Sequence, residues 1–273
     1  MGQNRWLRNI FAVGLWAGTL ANGATLYQYE GFAYQPGSSI FLQNGGTGWS
    51  GAWGTPGGLD ATIAAASLTS GGLAVSGGSL STAGAQPPNQ GSSVATWVRY
   101  LGTSQGADNT TVYFSFLLRP DAGFGYYGGL NLGSVFAGLS GNQSVYGLEG
   151  PVNDLSLSST PVVAGQSVLF VLRADFHAGN DTLSLFLNPT PGLPEPAVAD
   201  ATKTNVDVGA IDFLTINNYG GFTMDELRIG STFDSVTPTA VPEPGYAAGI
   251  ALASFLLAWS HRKRRLGTPL AQR

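Results

Sequence analysis

Through the middle of the chain, apolar residues recur at every second position, and clusters of Gly, Asn, Asp, Ser and Pro break the pattern about every ten residues. A period of two is that of extended strands, whose side chains alternate between the faces of a sheet. Val112, Phe114, Phe116 and Leu118 share one face, with Tyr113, Ser115 and Arg119 on the other. Leu183, Leu185 and Leu187 repeat the pattern opposite Thr182 and Ser184. Residues 167–176 form a longer apolar run, expected of a strand covered on both faces. Further strands are predicted at 25–34, 94–101, 129–135, 211–217 and 222–229, and Gly179-Asn180-Asp181 supplies a hairpin turn. Residues 61–68 read as strand or helix, and no other internal stretch makes a convincing amphipathic helix. About a dozen short strands without helical alternation predict an all-β fold, an antiparallel β-sandwich.

The two ends follow another pattern. Residues 1–23 carry Arg5 and Arg8, an apolar run from Ile10 to Leu20, and small residues from Ala21 to Ala24. This is the layout of a secretory signal peptide, with cleavage after Gly23 fitting the small-residue rule slightly better than cleavage after Ala24. A sandwich domain is then expected over 24–238 and a tail over 239–273. The tail holds Val241-Pro242-Glu243-Pro244, an apolar run over 245–260 and the basic cluster Arg262, Lys263, Arg264 and Arg265. Its fifteen residues from Gly245 to Trp259 would rise about 22 Å as a helix, against a hydrocarbon core of about 30 Å, so the run spans only marginally. The basic cluster keeps the extreme C-terminus cytoplasmic and the sandwich outside. Both a C-terminal transmembrane helix that stays as an anchor and a processing signal fit; the rigid Pro-Glu-Pro step suits processing.

Charge sharpens the contrast. Charged residues are 10% of the chain, against about 25% in an average soluble protein, and the formal net charge is −4. Seven of the twelve basic residues lie at the two ends; between 24 and 240, five basic residues face fifteen acidic ones, a net of −10. An acidic body without a basic patch excludes nucleic acid as a partner. The absence of cysteine excludes disulfides, thiol nucleophiles and thiolate metal sites.

Residues Val241 to Arg265 resemble the PEP-CTERM sorting tail of exported proteins in Gram-negative bacteria that make exopolysaccharide. The resemblance implies export by the general secretion machinery, a membrane-anchored precursor, and recognition and cutting near the motif by an exosortase, a membrane-embedded cysteine-type transpeptidase-like enzyme. Val241, Pro242, Glu243 and Pro244 would be the sorting signal, and Arg262, Lys263, Arg264 and Arg265 its topological stop. The chain departs from that pattern by the extension Leu266 to Arg273. The middle is similar, less specifically, to concanavalin-like or laminin-G-like jelly rolls, through Tyr29-Glu30-Gly31-Phe32, Asn44 to Trp49, Asn180 to Leu185, Asn188-Pro189 and Met224 to Gly230.

Candidate chemistry is sparse. Glycoside hydrolysis uses two carboxylates, and no two acidic residues here stand two or four apart, so one strand cannot present the pair. A pair from different strands stays open. Asp225 and Glu226 are adjacent and point to opposite faces of a strand. Glu226 is expected in a surface ion pair with Arg228; Asp225, on the face of Leu227 and Ile229, must find donors such as loop amides, with a calcium role as the weaker alternative. Gly102-Thr103-Ser104-Gln105-Gly106 matches the hydrolase elbow pattern but lacks a following helix, and Gly123-x-Gly125-x-x-Gly128 lacks the βαβ unit of a dinucleotide site. His177, at a strand end, reads as a solvated imidazole. Trp49, Trp53, Tyr126 and Tyr127 lie in Gly-rich segments, where flat rings with a polar edge either hold sugar faces or pin the loops. Strand alternation would turn only one of the two tyrosines outward. The expectation is an exported envelope or matrix protein without catalysis or a required cofactor, structural or binding exopolysaccharide; the alternative is a secreted glycan hydrolase.

Overall fold

The computed structural model describes residues 23–55, 60–82, 95–122, 124 and 126–240. The predicted signal peptide through residue 22 and the predicted tail from residue 241 lie outside the described residues. Among those described, no helix is long and apolar enough to cross a membrane.

Fourteen strands among the described residues form two antiparallel sheets. The larger contains β1 (Leu26–Glu30), β2 (Thr62–Ala64), β3 (Ser79–Ser81), β5 (Thr111–Pro120), β10 (Val168–Asp175), β11 (Asp181–Leu187), β12 (Ala201–Val206) and β14 (Phe222–Gly230). Its order is β12-β11-β10-β5-β14-β3-β2, with β1 on the other half of β14. The six-stranded sheet contains β4 (Ala95–Gln105), β6 (Tyr127–Leu132), β7 (Val135–Leu139), β8 (Val145–Gly150), β9 (Asp154–Pro161) and β13 (Ile211–Tyr219), in the order β4-β13-β6-β7-β8-β9. The fold is thus the predicted antiparallel β-sandwich.

The period-two pattern explains the layers. Phe114, Phe116 and Leu118 of β5 join Phe170 and Leu172 of β10 in the central core, against Trp97, Leu130, Leu148, Leu214 and Ile216 of the other sheet. Phe116 and Phe170, directly opposite in register, stack at 4.6 Å, and Tyr146 meets Phe170 edge-on at 5.1 Å. The alternate residues Tyr113, Leu117, Leu169 and Val171 pack in a second cluster on the outer side of the larger sheet, under Leu68, Leu73 and the short helix α1 (Phe233–Val236). Hence β10 is covered on both faces, as its unbroken apolar run predicts.

Three local expectations change. The strand expected at 129–135 is a hairpin: Gly133, at φ 56°, turns β6 into β7. The ambiguous 61–68 segment holds the three-residue edge strand β2. Gly102 to Gln105, beyond the strand expected at 94–101, continue β4, so Ser104 sits within a strand and not on a strand-to-helix elbow.

Both open edges of the sandwich are crossed by an ion pair. On one, the guanidinium of Arg99 in β4 meets the carboxylate of Glu30 in β1, and both side chains are buried. Glu30 also accepts from the Phe32 amide at 2.8 Å, the Tyr34 hydroxyl at 2.6 Å and the Trp53 indole at 3.2 Å. Arg99 donates to the carbonyls of Gly45 (2.6 Å) and Gly51 (3.1 Å) and lies over the rings of Trp49 and Trp53, at 5.0 and 5.4 Å from their centroids. Burial, reinforced by the Glu30 carboxylate, pushes the Tyr34 hydroxyl up to about 12. On the opposite edge, Lys203 of β12 reaches the carbonyl and carboxylate of Asp154 in β9, each at 2.8 Å.

Breaking a buried ion pair from one side leaves an uncompensated charge. Arg99→Met is expected to lower unfolding free energy by about 3–5 kcal/mol. The double variant Glu30→Met/Arg99→Met should lose less than the single one, read from urea denaturation midpoints.

Candidate ligand-binding face

The larger sheet has its outer side covered by α1 and loops; among the described residues no such layer lies on the outer side of the six-stranded sheet, where Thr96, Val98, Asn131, Thr215 and Asn217 are partly exposed. On β13, Leu214, Ile216 and Asn218 are buried, so Phe213, Thr215, Asn217 and Tyr219 point outward. Register extends this across the sheet. One row runs Val98, Thr215, Asn131, Phe136, Glu149, Leu155, and the next runs Thr96, Asn217, Gly129, Gly138, Gly147, Leu157. Three adjacent strands therefore place glycine side by side.

That glycine row makes room for an aromatic floor. A Cβ on Gly129 or Gly138 would lie 3.0 or 2.9 Å from Cζ of Phe136, and closer still to neighbouring backbone carbonyls. Both glycines have φ near 155°, which L side chains rarely adopt. Tyr127 meets Phe136 edge-on at 5.6 Å, and Tyr126 contacts both Tyr127 and Tyr219 at 5.1 Å. Two adjoining cavities open over these rings. One, of about 180 Å³, is lined by Tyr127, Asn131, Ser134, Phe136, Glu149, Gly150 and Asn217. The other, of about 300 Å³, is lined by Tyr126, Tyr127, residues 140–143, Glu149, Asn153 and Leu155.

The polar chemistry here is dominated by acceptors. The Tyr127 hydroxyl donates to Oε1 of Glu149 at 3.0 Å, and burial followed by that carboxylate raises the Tyr127 pKa. Oε2 of Glu149 and Oδ1 of Asn217 are buried without a hydrogen-bond partner. Leaving such acceptors unpaired costs about 1–3 kcal/mol each, and the accessible polar groups beside them are the amides of Asn131 and Asn153 and the hydroxyl of Ser134. Glu149 is the single carboxylate among the described residues lining the two cavities, whereas glycoside hydrolysis ordinarily uses two.

The sequence-nominated aromatics separate. Tyr126 and Tyr127 both border the larger of these cavities; the expectation of one outward ring fails because β6 begins at Tyr127 and its alternation does not reach Tyr126. Trp53 is corrected as a ligand contact: it is fully buried, stacked on Phe32 at 6.0 Å, and pins the Gly-rich loop to the Glu30–Arg99 pair. Half-buried Trp49 donates to the Tyr29 carbonyl at 3.0 Å and lines a separate cavity of about 680 Å³ with Tyr27, Gln28 and residues 102–105.

The surface ion pair expected for Glu226 is also corrected. A bulge between Asp225 and Arg228, with Glu226 at φ 55°, turns the pair under the 66–76 segment, where both residues are buried. Glu226 accepts from the Ser76 amide at 2.5 Å, and Arg228 donates to the Ala74 carbonyl at 2.6 Å. Asp225 accepts from the Leu68 amide (2.9 Å) and the Glu226 amide (2.8 Å). Burial, then the Glu226 charge, pushes Asp225 up to about 8. Among the described residues no group of three His, Asp or Glu is placed to hold a metal. His177 is exposed beyond the end of β10.

Phe136, Asn131, Asn217, Glu149 and Tyr219 were not nominated from sequence. The 213/215/217 alternation within the predicted 211–217 strand was the available signal for Asn217, and Tyr219 lay beyond it.

No family model and no curated protein matches the chain. Among solved structures, the endo-1,3-β-glucanase of Streptomyces sioyaensis is similar at 14% identity, over 79% of this chain and 99% of that one, with a TM-score of 0.43. Domain 4 of AbnA, an extracellular arabinanase from Geobacillus stearothermophilus solved with arabinotriose, is similar at 14% identity over 77% and 93%, with a TM-score of 0.42. The exoplasmic/lumenal domain of VIP36, in a Ca2+- and glycan-bound form, is similar at 7% identity over 79% and 93%, with a TM-score of 0.38. Likeness this loose transfers neither ligand nor activity.

Two outcomes are expected. A carboxyl held at about 8 in the folded chain and 3.8 when free keeps its proton longer on folding, so its contribution to stability declines as pH rises from about 4 to about 8. The wild type should lose stability relative to Asp225→Asn across that window and hold a constant difference above it, measured by urea denaturation at each pH. Gly138→Ala should destabilise by about 1–3 kcal/mol, through a strained φ and a displaced Phe136 ring, read from the thermal midpoint and near-ultraviolet circular dichroism.

Proposed function

We propose that this chain is an exported, non-catalytic glycan-binding protein of the cell envelope or extracellular matrix, and that it holds uncharged polysaccharide on the outer face of the six-stranded sheet. The carrying observation is that face itself: an aromatic floor over a glycine row, flanked by amide and hydroxyl side chains, with two buried acceptors lacking donors. Aromatic rings with polar edges suit the apolar faces of sugars, and amide and hydroxyl side chains suit their hydroxyls. Uncharged ligands follow from the charge inventory: Arg99, Arg119, Arg173, Lys203 and Arg228 are each paired with a carboxylate, and the face carries the acidic Glu149. Uronates or sulfates would meet no free cation there.

The ends supply the address in this reading. The signal-peptide pattern and the tail's Pro-Glu-Pro, apolar run and basic cluster support export through the general secretion machinery, a transient membrane anchor and exosortase processing, on a body of the concanavalin-like kind. The hydrolase alternative lacks a second carboxylate at the described cavities.

Affinity electrophoresis of the full chain through gels containing a neutral glucan, a galactomannan or alginate tests the ligand class. Retardation by a neutral polymer, relieved by Tyr127→Ala, is expected, with none in alginate; free mobility in every neutral polymer, or retardation by alginate alone, contradicts the reading. Mass measurement of the envelope-associated form tests the address, since an intact Arg273 there contradicts processing.

A further inference from the structure

The geometry points to recognition of a polysaccharide by the interior of its chain, lying along β13, with the exposed rings of Tyr100 and Phe213 as a second stacking platform remote from the cavities. This extends the glycan reading and rests on it.

Tyr100 of β4 and Phe213 of β13 are directly opposite in register, and their rings meet at 5.5 Å on the same outer face as the cavities. Their inward neighbours, Arg99 and Leu214, are fully buried, while Tyr100 and Phe213 keep 53% and 46% of their surface exposed. Exposing two large rings side by side forgoes hydrophobic stabilisation, and such pairs mark contact surfaces. The other end of β13 carries Tyr219, opposite Tyr127 and packed on Tyr126. From Phe213 to Tyr219 is six residues, about 20 Å of strand. Between them the outward residues are Thr215 and Asn217, beside Asn131 on β6.

Rings at both ends and hydroxyl or amide groups between them match a linear, uncharged polymer that stacks twice and hydrogen-bonds in the middle. A mono- or disaccharide reaches one end only. Neither platform encloses a chain end, so internal stretches of polymer bind as well as termini do. Two weak contacts on one rigid strand act together once the ligand is long enough to span them, because the second contact is made without a further loss of translational freedom.

Calorimetric titration of the full chain with a two-unit and a six-unit oligosaccharide cut from a neutral glucan that retards it tests this. The six-unit ligand should bind about tenfold more tightly, and Tyr100→Ala/Phe213→Ala should remove that advantage while two-unit binding at the cavity end and the native circular dichroism spectrum are retained. Equal affinity for both lengths in the wild type, or an undiminished six-unit advantage in the double variant, overturns the extended platform and leaves the cavity reading standing. Retardation by no neutral glucan, or no binding of either length, removes both.

Discussion

The buried pair between Glu30 and Arg99 is the contact on which the rest of the structure depends. A two-sheet sandwich hydrogen-bonds within its sheets and has only packing between them, so its open edges need ties. Here one edge is closed by an arginine from the edge strand of one sheet and a glutamate from the edge strand of the other, out of contact with water. The charges are affordable because each is surrounded by partners: an amide, a phenol and an indole for Glu30, two carbonyls and two indole faces for Arg99. Those partners come from the 31–55 segment, so one ion pair also ties down a long Gly-rich loop whose Phe32, Ile40 and Trp53 enter the core. At the far edge Lys203 and Asp154 repeat the device in a more solvated setting.

Closing the edges in this way leaves the outer faces to differ. The larger sheet buries its outer side under α1, the 66–76 segment and a second hydrophobic cluster, and even its carboxylates are turned inward onto loop amides. The six-stranded sheet keeps glycine, asparagine, threonine and aromatic side chains on its outer side. A face with rings and no covering layer among the described residues would invite association with other apolar surfaces unless its chemistry favoured a polar guest, and the amide and hydroxyl side chains beside the rings give it that preference.

The fold was legible because it rests on period-two patterning, which a single chain displays directly: β5, β10, β11, β13 and β14 all follow from alternation or unbroken apolar runs. The candidate face was legible only in part. Tyr126 and Tyr127 stand out as adjacent rings in a glycine-rich segment. The trough beneath them comes from Gly129, Gly138 and Gly147 meeting across three strands, and register between strands is not written in any one of them. Trp53 stayed open between ligand contact and loop pin for the opposite reason: a tryptophan in a polar-looking loop fits either role until its indole finds Glu30, a residue remote in sequence. The bulge at Glu226 hid the burial of its pair with Arg228, because alternation fails wherever one extra residue enters a strand.

The central claim is that ligand meets the uncovered face of the six-stranded sheet. Nitrogen-15 NMR of the chain titrated with a neutral glucan oligosaccharide tests it most directly. The account predicts shift changes at the amides of Gly129, Asn131, Gly138 and Asn217 and in the indole-free region around them, with the Trp49 and Trp53 indole signals unmoved. Changes confined to the Trp49 cavity or to the larger sheet, with the glycine row silent, would contradict it.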